Sequence, residues 1–216
     1  MKKLIIFDLD GTLLDTIGDL AAATNFALAE FGFPQHPESD YRFFVGNGVN
    51  KLIERALPVE HRSQDEQSKV KHEFMKYYQA HGEERTRPYP GIAELLTNLN
   101  KKGYLLAVAS NKYQQGTTEF VNHYFPGIKF VSVLGQREGV PVKPSPVIVD
   151  QIREIAGVGK EETLYVGDSG VDAATALNAG VDFVGVLWGF RPRGEMEAIG
   201  ATGFIDQADM VFNYLQ

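Results

Sequence analysis

Short runs of aliphatic and aromatic residues recur along the chain, separated by stretches whose apolar positions return every three or four residues. Five runs have the length and composition of buried strands: "KLIIF" at 3–7, "YLLAVA" at 104–109, "KFVSVL" at 129–134, "TLYVG" at 163–167 and "DFVGVL" at 182–187. Helical patterns fill the spaces between the later runs. In "GIAELLTNLNKKG", Gly103 stands where a left-handed residue would close the helix. Strand and helix in alternation predict an α/β fold, a Rossmann-like open parallel sheet with helices on both faces.

The first gap breaks this rhythm. Residues 16–86 hold far more chain than one crossover helix needs, and their patterns are helical without strands: "TIGDLAAATNFALAEFG", "VNKLIERAL" and "SKVKHEFMKYYQAHG". We expect residues 1–15 and 87–216 to form the sheet-containing core and residues 16–86 an inserted helical subdomain. The joints fall near Leu14–Ile17 and Glu83–Pro90.

Composition narrows the partners. A chain of 216 residues accommodates one sizeable core with a smaller insert. With 21 Lys and Arg against 28 Asp and Glu, the net charge of −7 argues against general attraction to nucleic acid or to an anionic membrane. An anionic substrate would then need positive charge supplied locally. The absence of cysteine excludes disulfides, thiol nucleophiles and thiolate metal sites.

Met1-Lys2-Lys3 mimics the opening of a signal peptide, but Asp8 ends the apolar run too early. The longest later candidate for a membrane segment, "VDFVGVLWGF", is interrupted by Asp182 and by glycines. A soluble cytoplasmic protein is expected, with monomer and homodimer both open. The five histidines make no metal-ligand spacing.

The chemistry concentrates in "LIIFDLDGTLLD". Asp8 and Asp10 leave the first strand at its carboxyl end, where open parallel sheets bind ligands. Residues two apart on extended chain point the same way, so both carboxylates address one site. Their repulsion weakens a fold unless a cation or a shared proton offsets it. A magnesium ion would do so, taking a few carboxylates, waters and substrate phosphate oxygens.

Other strand ends supply matching groups. Asp168 follows "TLYVG" directly, and Asp172 falls one turn into the next helix. Ser110 ends "YLLAVAS", and the Asn111 amide is expected at a helix start, where N–H groups receive anions. Lys143, in "GVPVKPSP", precedes a helix opened by Pro144 and Pro146. Singly, Ser110 reads equally as a helix cap, Lys143 as a loop charge and Asp168 as a turn residue. Together, in this order, they point to phosphoryl chemistry.

The motifs "DLDGT", "SN", "KP" and "GDSGVD" resemble the four motifs of the haloacid dehalogenase superfamily, and the resemblance spans the chain. It implies an aspartyl-phosphate mechanism with Asp8 as nucleophile and Asp10 as acid, then base. It implies Mg2+ held by Asp8, the Asp10 carbonyl and Asp168, with Asp172 behind them. Thr12, Ser110, the Asn111 amide and Lys143 would hold the phosphoryl oxygens. Superfamily members that remove halide lack an acid at the Asp10 position, so the resemblance implies phosphatase or phosphomutase chemistry.

The helical insert resembles the family's cap placed after the first motif. Its "FVGNGVNKLIERAL" is similar to the cap segment of phosphoglycolate phosphatases, as is "VLWGFRPRGEMEAIGA" to their C-terminal portion. The implied substrate is a small phosphorylated metabolite, 2-phosphoglycolate foremost. Gly46 and Gly48 around Asn47 would leave backbone amides to meet a carboxylate; a tight helix junction explains them equally well. β-Phosphoglucomutases carry "GxSRxxS" in that segment and pyrophosphatases or nucleotidases "GPxL"; neither is present, and those activities remain the alternatives. Arg191 and Arg193, in "GFRPRG", are either further anion contacts or partners of surface acids.

Overall fold

The computed structural model describes all residues 1–216 and divides the chain into two compact units, Met1–Leu14 with Pro88–Gln216, and Asp15–Arg87. In chain order the elements are β1 (Leu4–Phe7), β2 (Leu14–Asp15), α1 (Ile17–Glu30), α2 (Glu38–Phe44), α3 (Val49–Ala56), α4 (Gln64–His81) and β3 (Arg87–Pro88). There follow α5 (Ile92–Lys101), β4 (Leu105–Tyr113), α6 (Gln114–Tyr124), β5 (Phe130–Gln136), α7 (Val147–Ala156), β6 (Thr163–Gly167), α8 (Gly170–Ala179), β7 (Asp182–Val186), α9 (Arg193–Glu197) and β8 (Phe204–Ile205).

The first unit is built on a six-stranded sheet in the order β5-β4-β1-β6-β7-β8, with every neighbouring pair parallel. The α/β expectation holds. β1 is fully buried, so all four of its residues are apolar: Leu4 and Ile6 join Ala107, Ala109, Ile148, Val149 and Ile152 in one core, while Ile5 and Phe7 point to the opposite face. After β5 the chain crosses back past β4 and β1 to lay down β6 on the far side of β1. That reversal opens a crevice at the carboxyl ends of β1, β4 and β6, the place where such sheets bind ligands.

The second unit is helical. α1 and α4 pack along one another, burying Leu20, Ala23, Ala27, Leu28, Phe74 and Tyr78. Ser63 caps α4 by accepting the Glu66 N–H at 3.3 Å. Asp19, in the first turn of α1, accepts the N–H groups of Arg85 and Thr86 and the Thr86 hydroxyl at 2.7–3.0 Å. The two ends of this unit's chain are thereby tied together.

Several details depart from the sequence reading. β4 runs on to Tyr113, and α6 begins only at Gln114, so Asn111 lies within the strand's irregular end and not at a helix start. The cause is a register shift against β5 between Ala109 and Tyr113. There the Ser110 hydroxyl accepts the Lys112 N–H at 3.1 Å and keeps the chain extended. α2 was not anticipated, because Tyr41 is its one buried residue and leaves no periodic stripe. β2, β3 and β8 have two residues each, too few to show a period.

Candidate active site

β1 delivers Asp8 at its end, and the chain turns sharply through Gly11, whose φ of +90° suits glycine. A side chain at Gly11 would collide with the Asp168 carboxylate, and one at Gly189 with the Asp168 Cβ. Asp168 thus sits in a cradle between two glycines. Its Oδ2 accepts the Phe190 N–H at 2.7 Å, and its Oδ1 lies 3.4 Å from the Thr12 hydroxyl. β6 places Asp168 beside Asp8 because β1 and β6 are neighbours in register, Phe7 opposite Val166.

α8 completes the acidic group. Ser169 caps it reciprocally with Asp172, the Ser169 hydroxyl lying 2.6 Å from Asp172 Oδ2. This fixes Asp172 with its other oxygen turned toward Lys143. Ligand atoms of Asp8, Asp168 and Asp172 all lie within 4.8 Å of one another, and all three residues are buried.

Lys143 stands among them. Its Nζ is 2.9 Å from Asp8 Oδ1 and 2.7 Å from Asp172 Oδ1, with the Ala109 carbonyl at 3.0 Å and the Tyr165 hydroxyl at 3.1 Å. Burial by itself would lower the lysine's proton affinity, yet the carboxylates of Asp172 and Asp8 outweigh it and hold the ammonium well above its ordinary value. Asn111 anchors the backbone of this lysine from both sides, its Oδ1 accepting the Lys143 N–H at 2.9 Å and its Nδ2 donating to the Lys143 carbonyl at 3.2 Å.

The charges do not balance. Three buried carboxylates face one buried ammonium. At an effective dielectric constant of about 20, two like charges about 4 Å apart repel by about 4 kcal/mol. Burial, followed by the repulsion of Asp172, pushes the Asp168 carboxyl up to about 7. The same causes raise Asp8 well above the carboxylate range, against the pull of Lys143. A small cluster of carboxylate oxygens with excess negative charge is the donor set of a hard divalent cation, and the residues fit one.

Asp10 stands apart from this trio. Its Oδ1 is 3.4 Å from the Nζ of Lys112, whose side chain is 4% exposed and lies over the Phe120 ring, 4.4 Å from its centroid. Of the groups expected from sequence, Asp8, Asp168, Asp172, Lys143 and Thr12 meet at the ends of β1 and β6. Ser110 and Asn111 reach the same edge from β4, with Asn111 applied through its side chain to Lys143.

Lys112 and Tyr165 were not anticipated. Tyr165 hides within an apolar run, and its hydroxyl reaches Asp172 Oδ1 at 3.2 Å. The signal available for Lys112 was a lysine directly following "SN" at a strand end. Arg191 pairs with Glu195 at 3.6 Å and Arg193 with Glu197 at 2.7 Å, both within one turn of their own chain.

In the helical unit, Gly46, Asn47 and Gly48 join α2 to α3, with φ of +114° at Gly46 and +82° at Gly48. The Asn47 Oδ1 accepts from Arg55 Nη2 at 2.8 Å, and Arg55 Nη1 donates to the Phe44 carbonyl at 2.9 Å. An arginine therefore does reach this loop, from the last turn of α3.

Known sequences resemble this chain. The sequence profile described as haloacid dehalogenase-like hydrolase matches residues 5–186, a span that begins in β1 and ends with β7. The chain belongs to the haloacid dehalogenase-like hydrolase family. Among relatives in this family, the phosphoglycolate phosphatase of Mesorhizobium japonicum is 35% identical over 194 residues, covering 89% of this chain and 86% of its own. That of Vibrio parahaemolyticus is 36% identical over 194 residues, covering 88% and 85%. The crystal structure of a candidate phosphoglycolate phosphatase from Lactobacillus delbrueckii subsp. bulgaricus superimposes with a TM-score of 0.93 at 34% identity, over 100% of this chain and 99% of that one. No helix here is long and apolar enough to cross a membrane.

Proposed function

We propose that this hydrolase is a magnesium-dependent phosphatase that cleaves a small phosphomonoester, 2-phosphoglycolate first among them, through an aspartyl-phosphate on Asp8. The observation that carries the reading is the meeting of Asp8, Asp168, Asp172 and Lys143 at the ends of adjacent parallel strands, with excess negative charge. Phosphoglycolate phosphatases among the relatives at 35% and 36% identity support the choice of ester.

In the first half-reaction a carboxylate oxygen of Asp8 bonds to phosphorus as the bond to the ester oxygen breaks, and Asp10 gives that oxygen its proton. Asp10 then takes a proton from water as the water oxygen attacks phosphorus. The Asp8–phosphorus bond breaks, releasing inorganic phosphate and restoring both carboxyl groups. Lys143 holds Asp8 in place and offsets charge gathering on the phosphoryl oxygens, helped by the Ser110 and Thr12 hydroxyls and the Asn111 amide. Asp8, the Asp10 carbonyl and Asp168 would hold magnesium, with Asp172 behind them; when bound, it neutralises charge on the phosphoryl group as a Lewis acid. Residues 16–86 act as the cap that excludes water from this chemistry.

The test is product analysis. With magnesium and 2-phosphoglycolate, glycolate and inorganic phosphate should appear in equal amounts, and chelation by EDTA should stop the reaction. With a sugar phosphate supplied in place of 2-phosphoglycolate, formation of its isomer without free phosphate would replace this reading by a mutase. Indifference to EDTA would remove the metal.

A further inference from the structure

Resting on that proposed reaction, a second lysine gains a role. We propose that Lys112 is a specificity-determining residue, whose ammonium receives an anionic group carried on the carbon next to the ester oxygen of the leaving group.

The argument begins with supply and demand for positive charge. The chain carries a net charge of −7, so a substrate with a second anionic group needs a local cation. Lys143 is engaged with Asp8 and Asp172 beneath the phosphoryl position. Arg191 and Arg193 pair with Glu195 and Glu197. Asn47, in the loop expected from sequence to meet a carboxylate, is neutral, and its Oδ1 accepts from Arg55.

Lys112 is placed differently. Its Nζ stands 3.4 Å from Asp10 Oδ1, and Asp10 is the group that must touch the ester oxygen to protonate it. In 2-phosphoglycolate the carboxylate is bonded to the carbon bearing that oxygen. A substrate within reach of Asp10 therefore presents its carboxylate next to the cation beside Asp10.

The local structure holds the ammonium there. Lys112 falls within the register shift between Ala109 and Tyr113 of β4, an irregularity of the kind that re-aims side chains at sites. Its side chain is 4% exposed over the Phe120 ring, although lysines are almost never so buried without a purpose or a partner. Asp10, 13% exposed, is one partner; a fold seeking stability alone would gain as much from an apolar pair.

The experiment compares 2-phosphoglycolate with ethyl phosphate, which has the same ester linkage and a methyl group in place of the carboxylate. For Lys112→Gln, the ratio of kcat/KM values for the two substrates should fall about 10- to 100-fold from wild type, the size of a charge-assisted hydrogen bond. Lys112→Arg, which keeps the charge, should retain most of the ratio. Loss of activity common to both substrates cancels in the ratio, so damage to Asp10 alone does not mimic the effect.

A ratio for Lys112→Gln within about twofold of wild type overturns the assignment, since a lost ionic contact is worth more than that. So does a Lys112→Arg ratio about 10-fold or more below wild type, a criterion that also serves if the Gln protein fails to fold. A wild-type enzyme without preference for 2-phosphoglycolate would instead overturn the substrate reading above.

Discussion

The strand-end cluster and the loop at residues 46–48 are each organised around one basic side chain, and they are organised to opposite ends. Around Lys143 the acceptors include two carboxylates, with Asp168 close by, and negative charge exceeds positive. Around Arg55 the acceptors include the carbonyls of Phe43 and Phe44 and the amide oxygen of Asn47, which are neutral. The first arrangement holds together only by accepting something from outside, a cation or protons. The second is a junction fastened by ordinary hydrogen bonds. Function is to be sought where the charge is unresolved.

The strongest way to break this contrast is to remove the proposed nucleophile, Asp8. Asp8→Asn should reduce hydrolysis of 2-phosphoglycolate by at least about 10⁴-fold, because the covalent route disappears. Its fold should not suffer: burial and the neighbouring acids already disfavour the ionised form of Asp8, so the neutral amide relieves strain in the metal-free protein. Thermal melting in EDTA at pH 8 checks this, with a higher Tm expected for the variant. Turnover near that of wild type would end the nucleophile assignment.

Lys143→Met comes next. It leaves Asp8 and Asp172 without their shared ammonium, and removing one partner of a buried ion pair typically costs about 3–5 kcal/mol. Urea denaturation without metal measures it. A loss below about 1 kcal/mol, the range of exposed pairs, would mean that the cluster is not the charged construction described above.

A smaller, reversible effect follows from pH. The Asp168 carboxyl is held at about 7 in the fold, against an ordinary value of 3.8. Between those values the metal-free folded state retains a proton that the unfolded chain has released. Stability from this group is therefore complete below pH 4 and is lost as pH rises through about 7. Magnesium should reverse that trend, so the rise in Tm on adding it should grow from pH 5 to pH 8, with protons released on binding. A rise independent of pH would show that the cation sits elsewhere.

The same difference explains what could be read from sequence. Asp8 and Asp10 were legible because paired acids after an apolar strand serve no purpose in folding, and the pairing of β1 with β6 brought Asp168 beside Asp8. Asn111 was legible as a site residue but not in its role: a register shift moved the helix start to Gln114, and the amide side chain turned to Lys143. Tyr165 was invisible because strand periodicity records that a residue is buried, not that its hydroxyl ends beside a lysine. The loop at 46–48 was legible only in part. Its glycines announced unusual backbone, while the arginine that fastens it lies seven residues beyond Gly48 and across a helix turn.

That loop gives the mildest test. Arg55→Ala removes donors to Phe43, Phe44 and Asn47, but it leaves behind neutral acceptors that water can partly satisfy. Such a loss costs about 1–2 kcal/mol, less than an orphaned buried charge. The decisive feature is its indifference to metal: urea midpoints of the variant and wild type should differ by the same amount with EDTA and with magnesium, whereas the Lys143→Met deficit should change between the two. A magnesium-dependent deficit for Arg55→Ala would mean that the loop is coupled energetically to the acidic cluster, and the division between a charged site and a passive junction would fail.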